Sequence, residues 1–188
     1  IKTFAQHIDH LLSDPELRER FTRLTTEAIE RMDGFLDELL QFSRFAAPNP
    51  RTVALSGIVS RSLATTDPAA RDRVQTNGVP TDSRVVVDED QMVFAVRALV
   101  RGLARELPAD APIVLSCVAS NEVVLRANVP GAKGKLQSVL YNENGSASEP
   151  SLHFVLADAL VQRNGGTCRI VRGAESIEAH LTLPVAQS

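Results

Sequence analysis

The sequence is poor in cysteine. Cys117 and Cys168 are its only two in 188 residues, too few for a disulfide framework or a thiolate zinc site. Two such thiols fit a reducing, cytoplasmic compartment. A basic excess is also missing. Lys and Arg number 20 against 23 Asp and Glu, a formal charge of −3, so a surface built around nucleic-acid phosphates is not expected. No apolar run reaches the roughly 18 residues that a membrane span needs, and no membrane contact is expected of this stretch. Residue 1 is Ile, with no signal-peptide pattern behind it, so the sequence is expected to be part of a longer chain. Gly-x-Ser-x-Gly, phosphate-loop and zincin motifs are absent, and no His or carboxylate pair has metal-ligand spacing. The 44% hydrophobic content is ordinary and sufficient for a core.

The first part of the chain reads as a helical hairpin. Phe4, Ile8, Leu11 and Leu12 recur at helical spacing before Ser13-Asp14-Pro15 breaks the run. Pro15 suits a first turn, and Ser13 or Asp14 can cap it. Residues 16–45 contain no proline and a single glycine, Gly34. Leu17, Phe21, Leu24, Ala28, Met32, Phe35, Leu39 and Phe42 fall three or four residues apart, and Ile29, Leu36 and Leu40 widen the apolar face. A helix of about 30 residues, roughly 45 Å long, exceeds what its short predecessor covers. Two arrangements satisfy it: a four-helix bundle in a homodimer, or packing on the rest of the same chain. The seam-like spacing favours the dimer, with Ile8, Leu11, Leu17, Phe21, Leu24, Ala28, Met32, Phe35 and Leu39 at its interface. Residues 1–45 hold six basic and nine acidic side chains, hence the whole −3.

Ala46-Ala47-Pro48-Asn49-Pro50 reads as a linker, because two prolines forbid helix continuation. Beyond it the pattern is mixed. A short strand is expected over residues 51–55, then a helix capped by Ser56 that buries Ile58, Val59 and Leu63. Residues 84–87 are strand-like, and Asp88 caps a helix carrying Met92, Val93, Val96, Leu99, Val100 and Leu103. Residues 113–118 and 123–129 form an antiparallel pair, and residues 130–150 are loop. A helix over 152–163 stops at Asn164-Gly165-Gly166. Residues 167–171 and 177–183 make a last hairpin. The fold class is therefore α+β: a helical hairpin, residues 1–47, followed by a sandwich of one sheet with helices on one face, residues 51–188.

Element order and short motifs together resemble the core of a sensor histidine kinase. Ile1-Lys2-Thr3-Phe4-Ala5-Gln6 looks like the stretch just after that family's histidine box. Glu30-Arg31-Met32 through Leu39-Leu40-Gln41-Phe42-Ser43-Arg44 resembles the end of its second helix. Val87-Asp88-Glu89-Asp90-Gln91-Met92 is similar to the start of the asparagine-box helix. Leu156-Ala157 through Leu160-Val161, with Asn164-Gly165-Gly166, resembles the helix and turn after the last glycine box, and Leu183-Pro184 the end of the final strand. The resemblance implies a dimerising hairpin joined to an ATP-binding domain of the Bergerat (GHKL) type.

The same resemblance marks where nucleotide chemistry is missing. The family's asparagine box supplies carboxamide oxygens to Mg²⁺ and the triphosphate; the matching positions here hold Ala98 and Gly102. Its first glycine box uses an Asp to accept from the adenine amino group, whereas the stretch here is Ala127-Asn128-Val129-Pro130-Gly131, with Ala127 at the Asp position and Val129 for a glycine. The last glycine box corresponds to Glu149-Pro150-Ser151-Leu152-His153-Phe154, where Ser151 and His153 are among the replacements. Glu149 adds negative charge and Pro150 removes an N–H donor. The expectation is a degenerate site: no cofactor, no metal, no catalytic residue. The phospho-accepting His of the family would fall upstream of Ile1. His7 and His10 lack its acidic and proline context and read as packing or solvated residues, as do His153 at a helix start and His180 in the last strand.

Three further groupings are read blandly. Asp82, Asp88, Glu89 and Asp90 lack a calcium loop's alternation and fit helix capping. Arg97, Arg101 and Arg105 share a helix face and read as solvated, with contact to an acidic or phosphorylated partner as the alternative. Cys117 and Cys168 read as buried strand residues. The resemblance thus implies a two-component signalling module acting as pseudokinase, scaffold or phosphotransfer protein, with a response-regulator receiver domain as partner. An active sensor kinase with a divergent ATP site and a purely structural dimerisation protein are the alternatives.

Overall fold

The computed structural model describes residues 14–108, 110–119, 121–128, 151–172 and 176–186. The first helix expected of the hairpin, with Ile8, Leu11, His7 and His10, lies outside the described residues, as do Val129 and the loop 130–150. The chain divides into two compact units, the first ending at Phe45 and the second beginning at Ala46.

Over its described residues the first unit contains one long helix, α1 (Pro15–Ser43), 29 residues and about 44 Å in length. Asp14, not Ser13, is its cap: Oδ1 accepts from the backbone N–H groups of Glu16 at 2.9 Å and Leu17 at 3.3 Å. Pro15 takes a first-turn position, where no intrahelical donor is required. Leu17, Phe21, Leu24, Ile29, Met32, Leu36, Leu39 and Leu40 are exposed large apolar residues of α1, while Ala28 and Phe35 are half-buried. Among the described residues no helix is long and apolar enough to cross a membrane.

The second unit runs β1 (Arg51–Ala54), α2 (Leu55–Ala64), α3 (Pro68–Arg71), β2 (Val74–Asn77), β3 (Arg84–Val87), α4 (Glu89–Glu106), β4 (Ile113–Ala119), β5 (Glu122–Asn128), α5 (Leu152–Arg163), β6 (Thr167–Arg172) and β7 (Ser176–Thr182). Five strands form a sheet in the order β2-β4-β5-β7-β6, antiparallel except for the parallel β2–β4 pair. Alternation along its central strands sorts the two faces. Val123, Leu125 and Ala127 on β5 and Ile177, Ala179 and Leu181 on β7 are buried. α4 packs on β4, β5 and α5, and α5 packs on β6. The architecture is α+β.

Two expectations need correction. The strands do not make one sheet: β1 and β3 pair antiparallel as a separate two-stranded sheet. A bridge between Val85 and Val185, and a bond from the Val86 N–H to the Pro184 carbonyl at 2.9 Å, fasten the chain after β7 to β3. Ser56 is not a cap, because the helix begins at Leu55 with Ala54 in the cap position and no side-chain bond there. The sequence pattern also gives no sign of α3 and β2. β2 buries only part of Val74 and leaves Gln75, Thr76 and Asn77 exposed, so its strand character comes from pairing with β4 rather than from an apolar alternation.

The turn after α5 is closely packed. Gly165 has φ +76°, the left-handed conformation that ends helices, and the N–H of Gly166 donates to the Val161 carbonyl at 3.0 Å. A Cβ on Gly166 would lie 2.5 Å from the Thr182 carbonyl oxygen and 3.0 Å from Val161 Cγ1. Gly166→Ala is therefore expected to destabilise the α/β unit by about 1–3 kcal/mol through forced backbone displacement. Urea unfolding measures it, and an unchanged midpoint would contradict this packing.

Candidate functional site

Of the positions singled out by sequence, Ala98 and Gly102 lie on α4, Ser151 and His153 at the start of α5, and Ala127 on β5. Asp88 starts α4 by accepting from the Gln91 N–H at 3.1 Å through Oδ1, and two acidic residues, Glu89 and Asp90, occupy the first turn. Ala98 and Gly102, one helical turn apart, are both buried. Phe154 of α5, fully buried, sits against Gly102. A Cβ built at residue 102 would stand 2.5 Å from the ring's Cε1 and 2.9 Å from Cδ1. The ring thus fills the volume that any side chain at 102 would need. His153, next to it, is 6% exposed. Ser151 holds the cap position of α5 without a side-chain bond, its carbonyl accepting from the N–H groups of Phe154 and Val155. Ala127 is buried in β5 between Ile113 and Ile177 of the neighbouring strands. Val129 lies outside the described residues.

Solved structures of the same architecture show the fold. The cytoplasmic segment of histidine kinase QseC aligns with TM-score 0.55 at 13% identity, over 84% of this chain and 95% of that one. Acinetobacter baumannii histidine kinase AdeS aligns with TM-score 0.57 at 14% identity, over 99% and 95%. Histidine kinase ThkA, in a structure with response regulator protein TrrA, aligns with TM-score 0.63 at 14% identity, over 98% of this chain and 56% of that one. The chain has a histidine-kinase-like core. No protein-family model matches it, and no curated protein matches its sequence.

In other cores of this type the resemblance assigns nucleotide and Mg²⁺ contacts to the positions of Ala98, Gly102 and Ala127. The residues present do not fit that ligand. A methyl, a hydrogen and a methyl offer no oxygen to a divalent ion and no acceptor to an adenine amino group. Among the described residues no group of three or more His, Cys, Asp or Glu is placed to hold a metal ion. The acidic stretch at the start of α4 is otherwise engaged. Asp88 caps, while Glu89 and Asp90 bind Arg61 at 2.7 and 2.8 Å. Of the arginines on α4, Arg101 pairs with Asp67 at 3.2 Å and Arg97 lies 5.1 Å from the centroid of the Phe94 ring. Burial raises the Cys117 thiol, and burial, then the Asp158 charge, pushes Cys168 up to about 12, so neither is a nucleophilic thiolate at neutral pH. Both are half-buried.

The outward face of the core's large sheet carries a charged cluster. His180 Nδ1 lies 3.2 Å from Glu122 Oε1, and its Nε2 lies 3.0 Å from Glu178 Oε2. Arg126 Nε pairs with Glu178 Oε1 at 2.8 Å. Both imidazole contacts are N–H donations only when the ring is protonated. Beside the cluster is an open cavity of about 440 Å³ lined by Glu122, Thr167, Arg169, Val171, His180 and Thr182. In the sequence His180 reads as a single strand residue; the period of two in Glu178, His180 and Thr182 is the signal that they share a face. Burial raises the Glu178 carboxyl, but the bonds from His180 and Arg126 outweigh it and hold the group below the usual carboxylate range.

Two outcomes are expected from this geometry. Gly102→Ala should lower stability by about 1–3 kcal/mol, and adding Phe154→Leu should recover part of the loss, as measured by thermal unfolding. Recovery distinguishes a clash at the ring from a general helix effect, since alanine alone favours helix. Stabilisation linked to Glu178 is complete above the unfolded carboxyl value of about 4.3 and is lost as pH falls through its lower folded value. The deficit of Glu178→Gln is thus expected to be full at about pH 5.5 and to shrink as pH falls below about 4 in urea titrations. A pH-independent deficit contradicts the assignment.

Proposed function

We propose that this chain is a two-component signalling module that has given up nucleotide binding and works as a pseudokinase, scaffold or phosphotransfer protein on the receiver domain of a response regulator. The observation that carries the reading is the Phe154 ring seated on Gly102, where the resemblance assigns an asparagine oxygen. A side chain at residue 102 would require the Phe154 ring to shift, so the change involves the packing of α5 as well as the one replaced residue. The receiver domain as partner is inferred from ThkA, whose structure was determined in complex with a response regulator. The two free cysteines agree with work in a reducing, cytoplasmic compartment.

The helical unit is read as the dimerisation element. Leu24, Met32, Leu36 and Leu40 are between 49% and 63% exposed, far more apolar surface than an isolated helix keeps in water. A second copy with the same seam buries it in a four-helix bundle. One observation favours the alternative of an active kinase with a divergent site: full-length ShkA, solved in complex with AMPPNP, aligns with TM-score 0.53 at 16% identity.

Titration calorimetry with ATP and Mg²⁺ separates the two readings. No heat is expected up to on the order of 1 mM ATP, and a micromolar dissociation constant overturns the proposal. Sedimentation tests the assembly. The wild type is expected to be a dimer, and Leu24→Lys with Leu36→Lys to be a monomer with its helices retained; a monomeric wild type removes the bundle.

A further inference from the structure

The dipeptide Asn-Gly occurs three times in the chain, at Asn77-Gly78, Asn144-Gly145 and Asn164-Gly165. The second lies outside the described residues; the other two have opposite surroundings. Asn164 is 8% exposed, and its carboxamide is fully engaged. Nδ2 donates to Gln91 Oε1 and to the Leu160 carbonyl, both at 2.9 Å, and Oδ1 accepts from the Asp88 N–H at 2.8 Å. The N–H of Gly165 donates to the Gln162 carbonyl at 2.9 Å. Joining Asn164 Cγ to the Gly165 nitrogen would break several bonds of a buried network.

Asn77 ends β2, and both it and Gly78 are exposed. Among the described residues, neither the Asn77 carboxamide nor the Gly78 N–H has a hydrogen-bond partner. Strand register accounts for the free N–H. β2 is an edge strand, parallel to β4, and the Ile113 N–H donates to the Arg73 carbonyl. Bonds to β4 then fall on residues 75 and 77. The Asn77 carbonyl points at β4, so the Gly78 N–H, in the same planar peptide, points to the open edge. Gly78 has φ +66°, and a Cβ built there would meet nothing within 4 Å, so no neighbour screens its nitrogen.

We propose that Asn77-Gly78 is a site of spontaneous deamidation, a modification that the fold permits there and blocks at Asn164. The Gly78 nitrogen, on losing its proton to solvent hydroxide, bonds to Asn77 Cγ. The Cγ–Nδ2 bond breaks, the departing nitrogen takes a proton from water, and ammonia leaves behind a cyclic succinimide. A water molecule then opens the ring by adding to one of its carbonyl carbons and breaking that carbon's bond to nitrogen. Addition at Cγ gives aspartate. Addition at the main-chain carbon gives isoaspartate, whose extra backbone methylene displaces the last ladder position, opposite Ser116. One water is consumed, one ammonia is released, and nothing is oxidised or reduced. Val74, Gln75, Thr76 and Asn77 are uncharged. Either product therefore places the first charge on β2, at an edge that otherwise has none to discourage strand addition.

The test incubates the full chain in water enriched in oxygen-18, both native and in concentrated urea. Peptide mapping by mass spectrometry then reads the labelled acid, with isoaspartate resolved by fragmentation. In the native protein the Asn77 peptide is expected to react at least about tenfold faster than the Asn164 peptide, because reaction at Asn164 waits for local opening of its network. In urea the two are expected to react at similar rates. The native rate at Asn77 should rise with pH, since the step begins with loss of an amide proton. Asn77→Gln, at an exposed position, should abolish labelling there, because the longer side chain closes a larger and less favourable ring; circular dichroism establishes that this variant keeps its fold. A native Asn77 peptide that reacts no faster than the Asn164 peptide overturns the proposal. So does a difference that persists in urea, which would trace it to sequence and not to fold. Labelling undiminished by Asn77→Gln overturns the assignment to that residue.

Discussion

The contact between the Phe154 ring and the bare backbone of Gly102 is the constraint on which the α/β unit depends. It lets the α5 ring pack directly on the α4 backbone, since Gly102 offers no side chain at the contact. Phe154 is among the largest fully buried side chains, as are Met92, Leu99 and Leu103 along α4. Once α4 and α5 are held together, Leu125, Ile177 and the other inward residues of the sheet have a continuous apolar layer to cover. The same contact has a chemical consequence. A cleft between these helices requires the ring to leave, and a fully buried Phe represents several kcal/mol of packing and burial.

Polar residues take a second share of the organisation. Gln91 and Asn164 are buried amides, a costly choice unless every donor and acceptor is met. Here they bridge α4, α5 and the Ala46 carbonyl, and that satisfied network is directional in a way that apolar packing is not. A sheet-helix core tolerates small sliding; a chain of amide bonds to named carbonyls does not.

Much of this was legible in the sequence where the signal is local. Asp88 before an apolar run announced α4, and Asn164-Gly165-Gly166 announced the end of α5, because caps are written in adjacent residues. The β4–β5 and β6–β7 hairpins were readable from alternation between turn residues. The seam of α1 was readable too, from Leu17 to Phe42. What escaped was set by partners far along the chain. Gln75, Thr76 and Asn77 carry no apolar pattern, so β2 is recognisable only beside β4. Phe154 and Gly102 are an aromatic and a glycine on separate helices until the fold brings them together. Gln91, inside a helix rich in charge, looks like a surface residue, and its burial depends on Asn164, 73 positions later. In the site, the absence of oxygens at residues 98, 102 and 127 was plain from the letters; the ring that occupies the space was not.

The tie between β3 and the chain after β7 bears on how this protein is made. The Val86 N–H and the Val85 bridge take their partners from Pro184 and Val185. During synthesis, β1 and β3 leave the ribosome long before those partners exist, and a two-stranded ribbon is marginal by itself. Asp88 likewise waits for Asn164, 76 residues later. The small sheet and the start of α4 are therefore among the last parts of the unit to gain full protection, and a nascent chain halted before residue 183 is the form most exposed to proteases and chaperones.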